Sequence, residues 1–144
     1  MFDKRPTREQ IHMATAFLWS MRALCKQADR SIGCVITTED MQQVLAISYN
    51  GPVRQLGNDA CKNVQGGCGC LHAEVNAIIK VDGRLPNKVM FVTMNPCIDC
   101  ARVIAQANIW KVYYCEEYRN KEGLKLLIKC GIQIERLAKK AVSF

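Results

Sequence analysis

Two short segments, His72-Ala73-Glu74 and Pro96-Cys97-Ile98-Asp99-Cys100, constrain this chain more than any other part of it. They carry metal-ligand side chains on separate elements and so require those elements to meet. One imidazole and two thiolates make three zinc ligands, and Glu74 adds a carboxylate that ligation does not need. A structural zinc closes all four positions with Cys or His, whereas a catalytic zinc keeps three protein ligands and leaves the fourth for water. His72, Cys97 and Cys100 therefore point to an open, hydrolytic site. A non-enzymatic zinc module would leave Glu74 without a role.

The rest of the pattern places both segments at helix starts. Thr7 and Gln10 form a capping-box pair, and Ile11, Ala14, Leu18, Met21, Cys25 and Ala28 follow at spacings of three and four, so a helix is expected over 8–28. Asp29-Arg30-Ser31 interrupts it. Residues 32–38 and 44–50 read as an antiparallel strand pair joined by a polar turn. No period is sustained over 51–71, where Pro52, Gly57 and the run Gly66-Gly67-Cys68-Gly69-Cys70 mark a long loop that runs into His72.

Beyond it come a helix over 72–81, a strand over 88–93, a helix over 97–107, a strand over 111–115, a helix over 121–130 and a short strand over 132–137. The tail 138–144 has no clear pattern. Strand and helix alternation implies an α/β fold whose sheet contains parallel strands covered by helices. With 144 residues and no repeat or linker, the chain reads as a single domain, 1–144. His72 and Glu74 then fall in the first turn of one helix, and Cys97 and Cys100 in the first turn of the next. Positions i and i+3 share a helix face, so both sulfurs can reach one ion. The helix N-terminus and the metal both favour thiolates, and Pro96 suits a helix start.

Bound zinc lowers the pKa of water from about 15.7 to about 7. Glu74 is placed to take the water proton and return it to a ring nitrogen and then to a departing amine. H-x-E followed by P-C-x-x-C is the signature of zinc nucleobase deaminases. Ser48-Tyr49-Asn50-Gly51, His72 to Ile78, Asn95 to Ala101 and Tyr118-Arg119 together resemble the deoxycytidylate (dCMP) deaminase family of the cytidine deaminase superfamily, over roughly residues 8 to 137. The zinc motif is common to the superfamily. Tyr49-Asn50-Gly51 and Asn76, two positions beyond Glu74, point to its nucleotide-specific branch.

The resemblance implies a three-layer α/β/α fold with a five-stranded mixed sheet. It implies hydrolysis of dCMP to dUMP and ammonia by zinc-hydroxide attack at C4, and a homo-oligomer, a hexamer or smaller. One catalytic Zn2+ would be held by His72, Cys97 and Cys100, with Glu74 moving protons. The backbone of Ala73 would meet the pyrimidine edge, Asn50 the sugar or phosphate side, Arg30 the phosphate, and Tyr118 the sugar and base. From the residues alone, Arg30 also reads as a surface cation, Tyr118 as an aromatic at the core edge and Asn50 as a turn residue.

The family's Gly-Tyr-Asn-Gly appears here as Ser48-Tyr49-Asn50-Gly51, followed by a compact loop rich in Cys and Gly. In many members this region binds the regulators dCTP and dTTP with Mg2+, which makes those effectors implied partners as well. Cys61, Cys68 and Cys70 form a C-x6-C-x-C cluster. Some relatives carry an additional structural zinc near the active site, for which Cys34 is the candidate fourth ligand here; free thiols in a mobile loop are the other reading.

Nine cysteines, an odd number, without a signal-type N-terminus argue against a disulfide framework and for a reducing, cytoplasmic setting. No apolar run approaches the roughly 20 residues of a membrane span. The net charge of +7 suits an anionic partner. Basic residues are scattered, with clusters only at Lys4-Arg5 and near the C-terminus, and lack the interleaved aromatics of a single-strand groove. A free nucleotide is therefore favoured over nucleic acid, with use of dCTP as the close alternative. Phe17 and Trp19 read as core or subunit contacts, not stacking platforms.

Overall fold

The computed structural model describes residues 2, 4–27 and 30–142. Helix α1 (Arg8–Ser20) begins at the expected capping box: Thr7 Oγ1 accepts from the Gln10 N–H at 3.1 Å, and Gln10 Oε1 accepts from the Thr7 N–H at 2.8 Å. Strands β1 (Gly33–Thr37) and β2 (Val44–Tyr49) form the antiparallel hairpin. Two short strands, β3 (Gly51–Pro52) and β4 (Cys70–Leu71), pair across the base of the long loop. Helix α2 (Ala73–Ile78), strand β5 (Lys88–Met94), helix α3 (Ile98–Gln106), strand β6 (Ile109–Glu116), helix α4 (Glu122–Lys129) and strand β7 (Gln133–Arg136) complete the alternation.

The main sheet has five strands in the order β2-β1-β5-β6-β7. β1 is antiparallel to both its neighbours, while β5, β6 and β7 run parallel, so the sheet is mixed. Its two faces follow from the period of two along each strand. Cys34, Ile36, Met90, Val92 and Val112 face a core completed by Ala73 and Ala77 of α2, Ala101 and Ile104 of α3, and Leu127 of α4. Val35, Val89, Phe91 and Tyr113 face the opposite core, completed by Met13 and Ala16 of α1. One helix on one face and three on the other give the α/β/α layering. Among the described residues no helix is long and apolar enough to cross a membrane.

Two close approaches set the helices against the sheet and against each other. A Cβ at Gly33 would lie 1.8 Å from the Ala16 carbonyl oxygen, and one at Gly123 would lie 2.1 Å from the Pro96 carbonyl oxygen. Glycine is required at both because backbone occupies the space.

The first helix is shorter than its periodicity predicts. It stops at Ser20, whose hydroxyl turns back to the Phe17 carbonyl at 2.5 Å. Residues beyond it bond across to other segments: the Leu24 N–H donates to the Asn50 carbonyl at 3.0 Å and the Lys26 N–H to Cys61 Sγ at 3.3 Å. Met21, assigned to the apolar stripe, is 80 % exposed. Tertiary bonds at 24–26 outweigh a helical period that had no core to face. Ala28 and Asp29, the expected helix end and break, lie outside the described residues, as do Ser143 and Phe144 of the tail.

Candidate active site and metal centres

The C-terminal end of β5 delivers Cys97, and α2 starts beside it, so the two helix starts meet where open α/β sheets place their ligands. His72 and Cys97 are N-cap residues, one position before the first turns to which the sequence assigned them. Pro96 accordingly precedes the cap instead of opening the helix. Cys97 Sγ accepts from the Cys100 N–H at 3.5 Å, which satisfies a helix-start donor and favours the thiolate.

His72 Nδ1 lies 3.3 Å from Cys100 Sγ and 3.6 Å from Cys97 Sγ. Zinc bonds of about 2.0 Å to nitrogen and 2.3 Å to sulfur in a tetrahedron place ligand atoms roughly 3.5 to 3.8 Å apart. The three side chains fit a zinc ion in both chemistry and spacing. Hydrogen bonding from Cys100 pushes the Cys97 thiol down to about 3, while the same contact drives Cys100 far upward. The Cys97 contact raises His72 in turn. Between them these groups hold protons that metal uptake displaces.

Glu74, in the first turn of α2, is 4 % exposed, and burial raises its carboxyl above the ordinary range. It shares a cleft of about 110 Å³ with His72 and Cys97. Arg30, Asn50, Ala73 and Tyr118, the four residues assigned to substrate, all line that same cleft. Asn50 is buried and its amide is engaged at both ends: Oδ1 accepts from the Ile32 N–H at 2.9 Å and Nδ2 donates to the Arg30 carbonyl. It fixes the backbone that carries Arg30, leaving one donor hydrogen and one lone pair for other partners. Ser48 is buried and donates from Oγ to the Ala73 carbonyl at 2.5 Å.

The second cluster contains Cys25, Cys61, Cys68 and Cys70, whose four sulfurs lie within 4.8 Å of one another. Cys25 Sγ is 4.0 Å from Cys61 Sγ and 3.9 Å from Cys68 Sγ, spacings that fit a tetrahedral zinc site built from four thiolates. N–H groups of Lys26 and Asn63 point at Cys61 Sγ at 3.3 and 3.4 Å, and the first of them chiefly lowers its thiol to about 7. Cys34 is not the fourth member. It is wholly buried in β1 within the sheet core, where burial keeps it a neutral thiol. Cys25 takes that place because the chain leaves the helix before reaching it. Its position on an apparent helical stripe concealed it. Cys25, Cys68 and Cys70 also line the cleft, together with Asn95 and with Ile32 and Met94, the last two of which no motif had marked.

The family model for the cytidine and deoxycytidylate deaminase zinc-binding region matches residues 6–116. The chain belongs to this deaminase family. The deoxycytidylate deaminase of Saccharomyces cerevisiae is 33 % identical over 147 aligned residues, covering 93 % of this chain and 46 % of the yeast protein. This chain thus spans about half the length of that relative. ComE operon protein 2 of Bacillus subtilis is 29 % identical, with 93 % of this chain and 73 % of that protein covered. The dCMP deaminase of cyanophage S-TIM5, solved with dCMP and dUMP, superposes with a TM-score of 0.80 at 31 % identity, covering 93 % of this chain and 99 % of the phage chain. The five-stranded mixed sheet and its helices are those of a deaminase fold.

Proposed function

We propose that this deaminase-family chain hydrolyses dCMP to dUMP and ammonia, as a single domain in the cytoplasm. The observation that carries the reading is the shared cleft: Arg30, a phosphate-seeking cation, lines it together with His72, Cys97 and Glu74. A zinc ion held by His72, Cys97 and Cys100 would supply an acidified water within the cleft. Glu74 would take one proton of that water as its oxygen bonds to C4 and pass it to the ring nitrogen, then take the second proton from the new C4 hydroxyl and deliver it to the amine, which leaves as ammonia as the carbonyl forms. Burial raises the proton affinity of Glu74 towards that task. The Ala73 backbone, fixed by Ser48, faces the pyrimidine edge. Tyr118 covers the sugar and base, and Arg30, held through its carbonyl by Asn50, meets the 5′-phosphate.

Arg30→Ala tests the phosphate assignment. KM for dCMP is expected to rise about tenfold or more, the weight of a charge-assisted contact of roughly 1.5–3 kcal/mol. Activity on deoxycytidine, which lacks the phosphate, should change little. Equal losses on both substrates would remove Arg30 from phosphate binding. Wild-type rates on dCMP and dCTP separate the mono- and triphosphate readings, and salt-sensitive deamination of single-stranded oligonucleotides would favour a polynucleotide substrate.

The four-cysteine cluster is assigned a second, structural zinc. Purified protein should carry close to two zinc ions per chain, and Cys61→Ser should reduce this towards one with lower thermal stability. A wild-type content near one would leave the cluster as free thiols.

A further inference from the structure

Asn95 is 4 % exposed, lines the cleft, and stands immediately before the Pro96-Cys97 start of the metal-binding turn. Its side-chain amide reaches away from that turn. Oδ1 accepts from the Tyr118 N–H, and Nδ2 donates to the Asn120 carbonyl at 3.2 Å. The Asn95 N–H itself donates to the Glu116 carbonyl at 3.2 Å, where β6 ends. One buried residue therefore grips the connection between β6 and α4 at both sides of Tyr118.

We infer that Asn95 is a positioning residue that fixes Tyr118 against the substrate, so that it governs nucleotide binding more than the chemical step. This rests on the proposed action on dCMP. Tyr118 lies on a connecting segment and is 38 % exposed, so little packing holds its ring. A loop residue without such support samples many orientations, and ordering it on each binding event weakens affinity. The amide of Asn95 supplies the order beforehand. Glu74 and the metal ligands sit on α2 and at the start of α3, outside the connection that Asn95 grips, so the chemical step does not depend on this clamp. Asn50 acts alike on the opposite wall, gripping the backbone around Arg30 from a buried amide. Each wall of the cleft thus carries its recognition side chain on backbone held by a buried asparagine.

The test compares Asn95→Ala, Asn95→Asp, Tyr118→Ala and the Asn95→Ala/Tyr118→Ala double variant in the zinc-loaded protein. Asn95→Ala should raise KM for dCMP about tenfold, as expected for losing a buried hydrogen-bond pair, with kcat within about threefold and zinc content unchanged. The double variant should bind no worse than the poorer single variant, because Asn95 acts through Tyr118. Hydrogen exchange at the Tyr118 amide should accelerate about tenfold in Asn95→Ala while β6 amides stay protected. Asn95→Asp keeps the acceptor for that N–H, so its Tyr118 amide should remain protected and its KM should fall between wild type and Asn95→Ala. It carries the test if the alanine variant does not fold. An unchanged KM, multiplying effects in the double variant, or a loss of kcat together with zinc would each overturn the inference. Wild-type protein that deaminates no cytosine nucleotide would instead overturn the proposed substrate, and the exchange at Tyr118 would still report on the clamp.

Discussion

Glu74→Gln is expected to lower kcat on dCMP about a thousandfold while leaving the protein folded and the catalytic zinc in place, within the usual range for losing a positioned acid–base group. Glutamine keeps the size and much of the hydrogen bonding of the carboxylate but cannot carry a proton. The residue is buried beside His72 and Cys97 without belonging to the ligand set, so metal content and activity should separate cleanly. The pH profile gives a second reading with a defined sign. Burial raises the Glu74 carboxyl, and only its ionised form accepts the water proton. Wild-type activity should therefore fall on the acid side at a pH above the ordinary carboxylate range near about 4.3. The residual rate of Glu74→Gln should lack that limb. Zinc analysis with steady-state kinetics checks both, and a glutamine variant of near-normal kcat would assign the proton transfers to another group.

Gly123→Ala should damage the metal centre from a residue that carries no functional group. Gly123 lies in α4, and a Cβ there would sit 2.1 Å from the Pro96 carbonyl oxygen and 2.8 Å from that of Cys97. The obstruction is backbone, so no side chain can swing aside. Either α4 withdraws or the Pro96-Cys97 turn moves, and that turn carries Cys97, one of the three proposed zinc ligands. Overpacking of this kind costs about 1–3 kcal/mol, and the clash lies towards its upper end. A lower Tm and a loss of catalytic zinc and activity are expected together. Gly83→Ala, where an added Cβ meets nothing within 4 Å, should change stability by no more than about 0.5 kcal/mol. Equal behaviour of the two variants would contradict the packing described.

The order of elements was legible in the sequence because most of them bury a regular face. Met90 and Val92 alternate with Val89 and Phe91 along β5, and the two sets enter opposite cores. The grouping of His72, Cys97 and Cys100 was legible because ligand chemistry fixes residue types and spacing. What failed was local. The stripe from Ile11 through Cys25 kept its helical period beyond Ser20, although the backbone of Leu24 and Lys26 bonds to Asn50 and Cys61. These partners are distant in sequence, and no period encodes them. The same break hid Cys25 from its cluster and left Cys34, a core residue of β1, as the apparent fourth ligand. Asn95 stood in a segment that carried the family resemblance, yet its role gave no signal, since a buried amide that grips a distant loop resembles any other polar residue at a strand end.

The most direct test of the account follows product formation from dCMP by purified, zinc-loaded protein, with dUMP and ammonia measured together. Equimolar appearance of both, lost on chelation and restored by added zinc, is the expected result. Absence of dUMP from dCMP at stoichiometric zinc, with the fold intact, would contradict it.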